Sequence, residues 1–388
     1  MAIKDLLADR AQRVEMSGIR KMFELVGSDS VNMGLGEPDF QPAPHIIEAF
    51  TEAARNGHNG YGPSLGLPAL RTALANRIQD QWRGTVAAEN IIVTSSATQG
   101  LMAINQTFVD HGDEVMVPDP GFVLYGAQAK ICGGTPVPYS LTAENGFMPD
   151  LDEMNEKITD RTKLLIVNTP SNPTGACLPE DLVRGISEIA EDKGVMVVAD
   201  EVYDTMTFDD DHHSFLSHMD NVLWVNSFSK TYAMTGWRLG CIATSGAHVK
   251  AIETMHYYTV ACPPTPIQHA GVAALEGPQD QVHEMLETFR ARRDLITKRI
   301  QAIDGLTMLK PTGAFYAFPH YDADVPSVDL ALRLAKEGLI CSPGSAFGAL
   351  GEHHLRFSYA CSTAQIEKGM DILERTLAEL PVRAGATA

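Results

Sequence analysis

The sequence predicts an α/β fold, in which helices sandwich a mainly parallel sheet and a smaller α+β domain follows. From about residue 90 to about residue 230, apolar segments of strand length alternate with amphipathic, helix-like segments. The apolar segments lack the alternation of half-exposed strands, as expected when helices cover both faces of a parallel sheet. After about residue 285, one long charged helix and several short strand-like segments indicate the second domain.

The predicted elements follow one another along the chain in a regular order. The strands of the larger domain are IIVTSS, DEVMVPDPG, KLLIVNTPSNPTG, VMVVADEVY and NVLWVNSFS. Between them lie ATQGLMAINQTFVDHG, a helix closed by a glycine, and the amphipathic helix PEDLVRGISEIAEDKG. In the smaller domain, the helix QVHEMLETFRARRDLITKRIQAI precedes the strands GAFYAFP, GLICSPG and HLRFSYA and the final helix TAQIEKGMDILERTLAEL. The predicted larger domain spans residues 45–285, and the smaller one spans residues 1–44 and 286–388.

The composition narrows the class of protein. A formal net charge of −19 disfavours a general nucleic-acid or anionic-membrane binder. The six cysteines are scattered without a C-x-x-C pair, which predicts free thiols in a reducing, cytoplasmic location. The N-terminal segment lacks the apolar core of a signal peptide, and no apolar run reaches the roughly 18 residues of a membrane span. The segment FDDDHHS is expected to be an exposed loop, and neighbouring histidines rarely bind one ion together, so we expect no metal.

Polar residues follow the predicted strands at the edge where open α/β sheets bind their ligands. Ser95–Thr98 follow the first strand at the start of a helix, which predicts either an anion cradle or a plain N-cap. Asn168 and Asn172 lie among prolines, where either a turn or a binding site accounts for them. Asp200 ends an apolar strand, and its carboxylate needs a cation or a hydrogen-bond donor; a ligand would supply one, and so would a helix N-cap or a structural ion pair.

Lys230 follows the strand NVLWVNSF with few other charges nearby. In a partly dry cleft its pKa falls and it becomes an amine nucleophile; otherwise its ammonium extends to the rim of the protein. Pyridoxal phosphate fits these groups, because it joins a lysine as a Schiff base and needs an acidic partner at its ring nitrogen. Lys230 is then the Schiff base lysine, Asp200 pairs with the ring nitrogen, and Asn172 and Tyr203 hydrogen-bond the ring 3-oxygen. The residues predicted to bind the phosphate are Ser96, Ala97, Thr98, Ser227 and Arg238.

Three segments, NTPSNPTG, ADEVY and SFSKTYAMTGWRLG, resemble the class I/II aminotransferases in order and spacing. This is the aspartate aminotransferase family of fold-type I pyridoxal phosphate enzymes, and the resemblance covers nearly the whole chain. It implies a seven-stranded type of sheet in the large domain, and a homodimer in which Tyr61 reaches the phosphate in the partner subunit. It also implies that Phe122 stacks on the cofactor, that Gly36 approaches the substrate and that Arg356 binds the substrate α-carboxylate. Without the resemblance, Arg356 would be interpreted as a surface arginine.

The resemblance implies a ping-pong transamination from an L-amino acid to a 2-oxo acid such as 2-oxoglutarate. Lys230 would serve as anchor and as general acid and base, with Asp200 and Tyr203 assisting. Aspartate or an aromatic amino acid is the first expected donor and alanine the next, with Ile19, Phe122 and Tyr316 as candidates to line the side-chain pocket. The arginines of the connecting helix, which could serve a dicarboxylate, are instead expected to face solvent; they are Arg290, Arg292 and Arg293.

Other functions remain open from the sequence. A cysteine-conjugate β-lyase uses the same fold and cofactor, and it would release pyruvate and ammonia without an oxo-acid acceptor. A non-catalytic pyridoxal phosphate sensor would need an appended DNA-binding module, which the sequence does not indicate. A nicotinamide-binding fold is disfavoured, because no G-x-G-x-x-G follows the first strand.

Overall fold

The computed structural model of the chain describes residues 6–14, 27, 30–82 and 86–382. The helices in this part are α1 Asp9–Gln12, α2 Pro44–Arg55, α3 Pro68–Trp82, α4 Ala97–Phe108, α5 Leu124–Ile131, α6 Leu151–Lys157, α7 Glu180–Lys193, α8 Phe228–Thr231, α9 Gly246–Val260, α10 Thr265–Glu276, α11 Asp280–Gln301, α12 Ser327–Lys336 and α13 Thr363–Ala378. The strands are β1 Val31–Asn32, β2 Ile91–Thr94, β3 Glu114–Asp119, β4 Thr135–Ser140, β5 Thr162–Asn168, β6 Met196–Asp200, β7 Val222–Ser227, β8 Gly240–Ala243, β9 Leu306–Thr307, β10 Tyr316–Ala317, β11 His320–Tyr321, β12 Leu339–Ile340, β13 Ser342–Pro343 and β14 Leu355–Ser358.

The central element is a seven-stranded sheet in the order β2-β8-β7-β6-β5-β3-β4. Its strand pairs are parallel except those of β8, which runs antiparallel to both β2 and β7. The predicted α/β class with a mainly parallel sheet is therefore confirmed. The sequence analysis did not predict β4 or β8 as strands, since one carries two prolines and the other has only four residues.

Helices cover both faces of this sheet, as the unbroken apolar runs predicted. Successive residues of β5 point to opposite faces and are buried on each of them. Leu164 and Ile166 belong to the apolar core that includes Ile104 of α4, whereas Leu165 and Val167 belong to the core on the other face. A strand buried on both sides cannot alternate apolar and polar residues, which explains its sequence.

The last third of the chain forms a second layered unit. The antiparallel sheet β10-β14-β13 packs with α11, α12 and α13 around a third apolar core, which includes Phe289, Leu334 and Leu373. Strand β1 pairs in parallel with β12, so residues 31–32 lie with this unit rather than with the large sheet. The division at residues 45 and 285 stays a prediction.

Two of the three arginines of α11 are covered by protein, contrary to the expectation that they face solvent, whereas the third, Arg290, is partly exposed. Arg292 and Arg293 are buried. Arg292 donates from both terminal nitrogens to the carboxylate of Asp39, at 2.6 and 2.9 Å, and Arg293 donates to both oxygens of Asp209, at 2.6 and 3.1 Å. The expectation was wrong because distant loops bring carboxylates onto this face, which the helical period does not reveal.

The FDDDHHS segment is also only partly exposed, because His212 is buried against Glu201. The His212 Nε2 lies 2.8 Å from a Glu201 carboxylate oxygen, and Trp224 Nε1 donates to the same oxygen at 2.8 Å. Burial disfavours the charged ring, but the Glu201 carboxylate outweighs it and raises the pKa of His212. Glu201, which follows Asp200, thus belongs to a structural network behind the sheet edge.

Two further observations concern metals and membranes. Within residues 6–14, 27, 30–82 and 86–382, no three His, Cys, Asp or Glu side chains are grouped to hold a metal ion. None of the helices in those ranges combines the length and apolar character of a membrane span. The six cysteines are all free thiols.

Candidate active site

The carboxyl edge of the large sheet borders a cavity of about 320 Å³. Because β8 is antiparallel, its first residue, Gly240, lies at this edge between its partners Thr94 and Ser227. The predicted site residues that line the cavity are Gly36, Ser96, Ala97, Thr98, Phe122, Asn172, Asp200, Tyr203, Ser227, Lys230, Arg238, Tyr316 and Arg356. Tyr61 is not among the lining residues and is 95% exposed on the surface, and Ile19 lies outside the described residues.

The turn between β2 and α4 is shaped for an anion. Ser96 has a φ of 89°, and its hydroxyl accepts a hydrogen bond from the backbone N–H of Gln99 at 3.4 Å, which caps the helix. A Cβ on Gly240 would lie 2.6 Å from the backbone nitrogen of Ala97, so glycine is needed for β8 to come this close. Thr98, in the first turn of α4, is exposed at the cavity. The free N–H groups and the dipole of this helix end favour a phosphate.

A second group of donors lies beside this turn, after β7. Ser227 caps the short helix α8, and its oxygen accepts from the backbone N–H of Ser229 at 3.1 Å. Arg238 has a φ of 58°, and its Nη1 donates to the carbonyl of Thr235 at 2.6 Å. In the part of the chain that the structure describes, Arg238 has no ion-pair partner. Its guanidinium is therefore available to a ligand.

Lys230 on α8 is half-buried, with its amine inside the cavity lining. The amine donates to the carbonyl of Gly36 and lies 5.8 Å from the Tyr203 ring centre and 5.6 Å from that of Phe315. Burial, and then the nearby positive charge of Arg356, lower the pKa of Lys230 to about 8. A much larger fraction of this amine than of an ordinary lysine is therefore neutral, and nucleophilic, near neutral pH.

Asp200 ends β6 and is 3% exposed. One of its carboxylate oxygens accepts a hydrogen bond from the hydroxyl of Tyr125 at 2.8 Å, and it forms no ion pair among the described residues. Burial raises the pKa of Asp200 to about 6, since a carboxylate without a cation is costly to bury. A cationic ring nitrogen would supply the missing partner.

Arg356 on β14 is buried without a carboxylate, in contrast to Arg292 and Arg293. Its terminal nitrogens donate to Asn172 Oδ1 at 3.0 Å, to Ser342 Oγ at 3.2 Å and to the Gly34 carbonyl. Its Nε is buried without a hydrogen-bond partner, and none of the described carboxylates is within ion-pair distance. Burial lowers the pKa of Arg356. A buried guanidinium left in this way is suited to an incoming carboxylate.

The two asparagines of NTPSNPTG have different tasks. Asn168 donates from its amide to the Asp200 carbonyl at 2.9 Å and accepts from the backbone N–H of Asn172 at 2.8 Å. It therefore fixes the turn and the end of β6. Asn172, held by that turn, contacts Arg356. The interpretation as a turn therefore describes Asn168, and the interpretation as a binding site describes Asn172.

Two tyrosines line the cavity beside the predicted substrate loop, GLGEPDF at residues 34–40. The hydroxyls of Tyr203 and Tyr316 are 2.7 Å apart and share a hydrogen bond. A Cβ on Gly36 would lie 2.1 Å from the Tyr316 hydroxyl, so glycine is needed where this loop passes over the tyrosine. The predicted residues Gly36 and Tyr316 are thus in direct contact.

The sequence analysis missed two features of the cavity. Tyr125, in the first turn of α5, follows Phe122 by three residues, and the centres of the two rings are 5.8 Å apart; the aromatic pair in PDPGFVLY was the signal that could have placed both at the cavity. Glu37 also lines the cavity, where its carboxylate accepts a hydrogen bond from the Thr235 hydroxyl. No pattern in the sequence indicates that contact, because it joins two loops 198 residues apart.

These residues fit pyridoxal phosphate. The unpaired buried carboxylate of Asp200 suits the ring nitrogen, the amine of Lys230 suits the aldehyde, and the α4 turn with Arg238 suits the phosphate. The buried, unpartnered Nε of Arg356 leaves a donor for a substrate.

Comparisons with known proteins identify the family to which the chain belongs. A family model described as aminotransferase class I and II matches residues 28–373. A probable aspartate aminotransferase of Methanocaldococcus jannaschii is 40% identical over 95% of this chain and 99% of its own. The aromatic-amino-acid aminotransferase 2 of Thermococcus litoralis is 36% identical over 96% of this chain and 98% of its own. An alanine aminotransferase structure from Pyrococcus furiosus superposes with a TM-score of 0.92 at 34% identity, over 96% of this chain and 100% of that one. The chain therefore belongs to the class I and II aminotransferases, and it is an enzyme that uses pyridoxal phosphate.

Proposed function

We propose that this aminotransferase transfers the amino group of an aromatic or other apolar L-amino acid to a 2-oxo acid such as 2-oxoglutarate, by a ping-pong mechanism. One observation carries the proposal: the substrate loop meets both reactive groups through carbonyls two residues apart. Gly34 accepts from Arg356 and Gly36 accepts from Lys230. A substrate that replaces these carbonyls presents its carboxylate to Arg356 and its amino-bearing carbon to Lys230.

The residues divide the work of binding among them. Asp200 would hold the ring nitrogen, and the α4 turn, Ser227 and Arg238 would hold the phosphate. Tyr203 and Asn172 also line the cavity and would hydrogen-bond the ring 3-oxygen. When bound, pyridoxal phosphate supplies an electron-withdrawing ring that stabilises negative charge on the carbon next to the amino group.

Lys230 then moves the proton. Its neutral amine would remove the proton from the substrate α-carbon, and the ammonium so formed would hold that proton for its return two atoms along, beyond the amino nitrogen. A pKa of about 8 suits both directions, because each protonation state is accessible near neutral pH. Arg356 keeps the substrate carboxylate fixed during the transfer, so that the α-carbon stays beside the amine.

The charges of the cavity support an apolar donor. Its described lining holds three cations, Lys230, Arg238 and Arg356, and each already has a task. The remaining wall includes Leu35 and Leu101, and Glu37 would repel a second carboxylate. A second carboxylate, on aspartate or on the proposed acceptor 2-oxoglutarate, would therefore need a cation from the partner subunit, whereas an aromatic or other apolar donor needs none.

The half-reaction tests the donor without an acceptor. The holoenzyme is mixed with phenylalanine, tyrosine, alanine or aspartate, and the loss of the bound cofactor's visible absorbance is followed. We expect the largest kcat/KM for the aromatic donors; a larger value for aspartate would refute the donor assignment. Pyruvate and ammonia formed from a β-substituted amino acid without an acceptor would instead indicate a β-lyase.

Lys230→Ala tests the chemistry itself. We expect this variant to bind pyridoxal phosphate without a covalent link, and to lose turnover, whereas the matched control Lys250→Ala lies on the exposed surface of α9 and should keep it. Near-normal turnover of the Lys230 variant would refute its role as base.

We also propose a homodimer in the cytoplasm. Exposed aromatic residues support an interface, with Tyr61 at 95%, Tyr258 at 82% and Tyr257 at 51% exposure. A second copy of the chain would cover them and bring Tyr61 to the partner's phosphate site. The six free thiols are typical of a reducing compartment. Analytical ultracentrifugation tests the dimer, and a monomer at micromolar concentration would contradict it.

A further inference from the structure

The end of β3 is tied to a turn of the C-terminal third of the chain. The carboxylate of Asp119 accepts the backbone N–H of Ala349 and that of Leu350, each at 3.1 Å and each through a different oxygen. Two residues later, the backbone N–H of Gly121 donates to the carbonyl of Phe347 at 2.8 Å. Three hydrogen bonds therefore join residues 119–121 to residues 347–350.

Gly348 makes room for this tie. Its φ is 137°, a conformation that favours glycine. A Cβ at this position would lie 2.0 Å from one carboxylate oxygen of Asp119. The Asp119 carboxylate and Gly348 thus form one structural unit. A side chain at position 348 would displace the carboxylate.

The turn that Asp119 holds places Phe347 against the Arg356 guanidinium. The Arg356 guanidinium lies between two rings, 4.6 Å from the centre of Tyr316 and 4.8 Å from the centre of Phe347. Such ring faces orient a guanidinium as well as attract it. Phe347 is 3% exposed and belongs to the core of the seven-stranded sheet, so its place depends on how the turn is fixed to that sheet.

The same stretch reaches the cofactor side. Phe122 follows Gly121 directly and lines the cavity, and Tyr125 on the next helix donates to Asp200. One short segment, residues 119–125, therefore connects the residue proposed for the ring nitrogen with the turn that supports Arg356.

We propose that Asp119 is a positioning residue of this enzyme. Its carboxylate fixes the turn at residues 347–350, and through Phe347 it holds the Arg356 guanidinium in the orientation that receives a substrate carboxylate. The inference rests on the proposed role of Arg356. Asp119 itself contacts the turn, and it acts on the reaction only through Phe347 and Arg356.

Steady-state kinetics of Asp119→Ala tests the inference. We expect KM to rise roughly tenfold, by the same factor for aromatic and aliphatic donors and for the 2-oxo acid, because all share the α-carboxylate. The value of kcat and the affinity for pyridoxal phosphate should stay within about twofold, as when only uniform substrate binding is lost. Asp119→Asn keeps one accepting oxygen and should show a smaller rise. Asp113→Ala is the matched control at the other end of β3; its carboxylate accepts the Asp110 N–H at 2.9 Å, and its loss should leave KM unchanged.

Gly348→Ala gives an independent measurement. It should raise KM as Asp119→Ala does, because the added methyl displaces the carboxylate. The double variant should lose less than the product of the two single effects, since the clash needs both side chains, although alanine at a φ of 137° keeps its backbone strain; factors that multiply would contradict the single unit.

The outcomes separate this inference from the proposed function. If Arg356→Lys leaves KM unchanged, the role of Arg356 fails and the inference fails with it. If Arg356→Lys raises KM but both Asp119→Ala and Gly348→Ala stay within twofold of the wild type while folded, only the inference fails. A fall in kcat alone, or loss of cofactor, also overturns it. If Asp119→Ala does not fold, Asp119→Asn decides on the same criteria.

Discussion

Replacing Arg356 with methionine should separate substrate binding from folding. The side chain is 3% exposed, and its hydrogen bonds go to neutral acceptors, namely Asn172, Ser342 and the Gly34 carbonyl. Methionine has a similar length and no charge. The substitution therefore removes the proposed partner of the substrate carboxylate while it leaves an apolar side chain between Tyr316 and Phe347.

The expected loss follows from the cost of an unpaired buried charge. Removing one partner of a buried, hydrogen-bonded charge pair costs about 2–5 kcal/mol, and each 1.4 kcal/mol is a factor of about ten. Asn172 and Ser342 remain to hydrogen-bond the substrate, so we expect about 3 kcal/mol, which is a fall of roughly a hundredfold in kcat/KM. Lysine keeps the charge but not the planar pair of donors, and Arg356→Lys should lose about tenfold.

The stability of the cofactor-free protein should change little. The variant removes the desolvation cost of a guanidinium along with three hydrogen bonds, and we expect these to offset within about 1 kcal/mol of unfolding free energy. The assay combines the half-reaction kinetics with urea unfolding of the same preparations. A kcat/KM within threefold of the wild type would refute the assignment of Arg356. A large drop in the urea midpoint would show that the guanidinium serves the fold instead.

Three further predictions concern the amine, the substrate loop and the subunit interface. The rate at which the cofactor-free protein takes up pyridoxal phosphate should rise with pH and level off above about 8. The reason is that the pKa of Lys230 is lowered to about 8 and only the neutral amine reacts. Stopped-flow absorbance measures this rate, and a rate independent of pH would contradict the prediction. A double-mutant cycle of Asp39→Ala and Arg292→Ala should give a coupling of about 2 kcal/mol in unfolding free energy. This is less than for a fully buried pair, because the Asp39 side chain is 34% exposed. Additive losses would show that the ion pair does not contribute to stability. Tyr61→Phe should weaken cofactor binding by the dimer about tenfold without changing the unfolding midpoint, and an unchanged dissociation constant would exclude the hydroxyl from the partner's site.

The part of the site that follows strand ends could be predicted from the sequence. Lys230 and Asp200 come directly after unbroken apolar segments, and parallel strands bring such positions to one edge. The structure places both in the cavity lining. The resemblance added Gly36 and Arg356, whose own segments are too short and too distant from the large sheet to be placed by periodicity alone.

The contacts between distant segments could not be predicted in the same way. Tyr125 reaches Asp200 across 75 residues, and Arg292 reaches Asp39 across 253. The helical period shows which face a residue occupies, but not which loop later covers that face. This is why the arginines of α11 were expected in solvent, and why the network of His212 and Glu201 was missed.

The reversed direction of β8 explains why the lysine and the arginine of the site are close neighbours in the chain. A parallel strand after β7 would need a crossover of about a dozen residues or more, and Arg238 would then belong to a separate segment. In this structure the segment of residues 227–240 leaves the sheet edge at Ser227 and returns to it at Gly240, which pairs with Ser227 in the ladder. If Lys230 and Arg238 have the roles proposed above, the number of residues between them sets the distance between the amine and the phosphate-binding guanidinium. We expect related enzymes to differ in the amino acids between Lys230 and Arg238 but not in their number. The length of this segment should therefore be better conserved than its sequence.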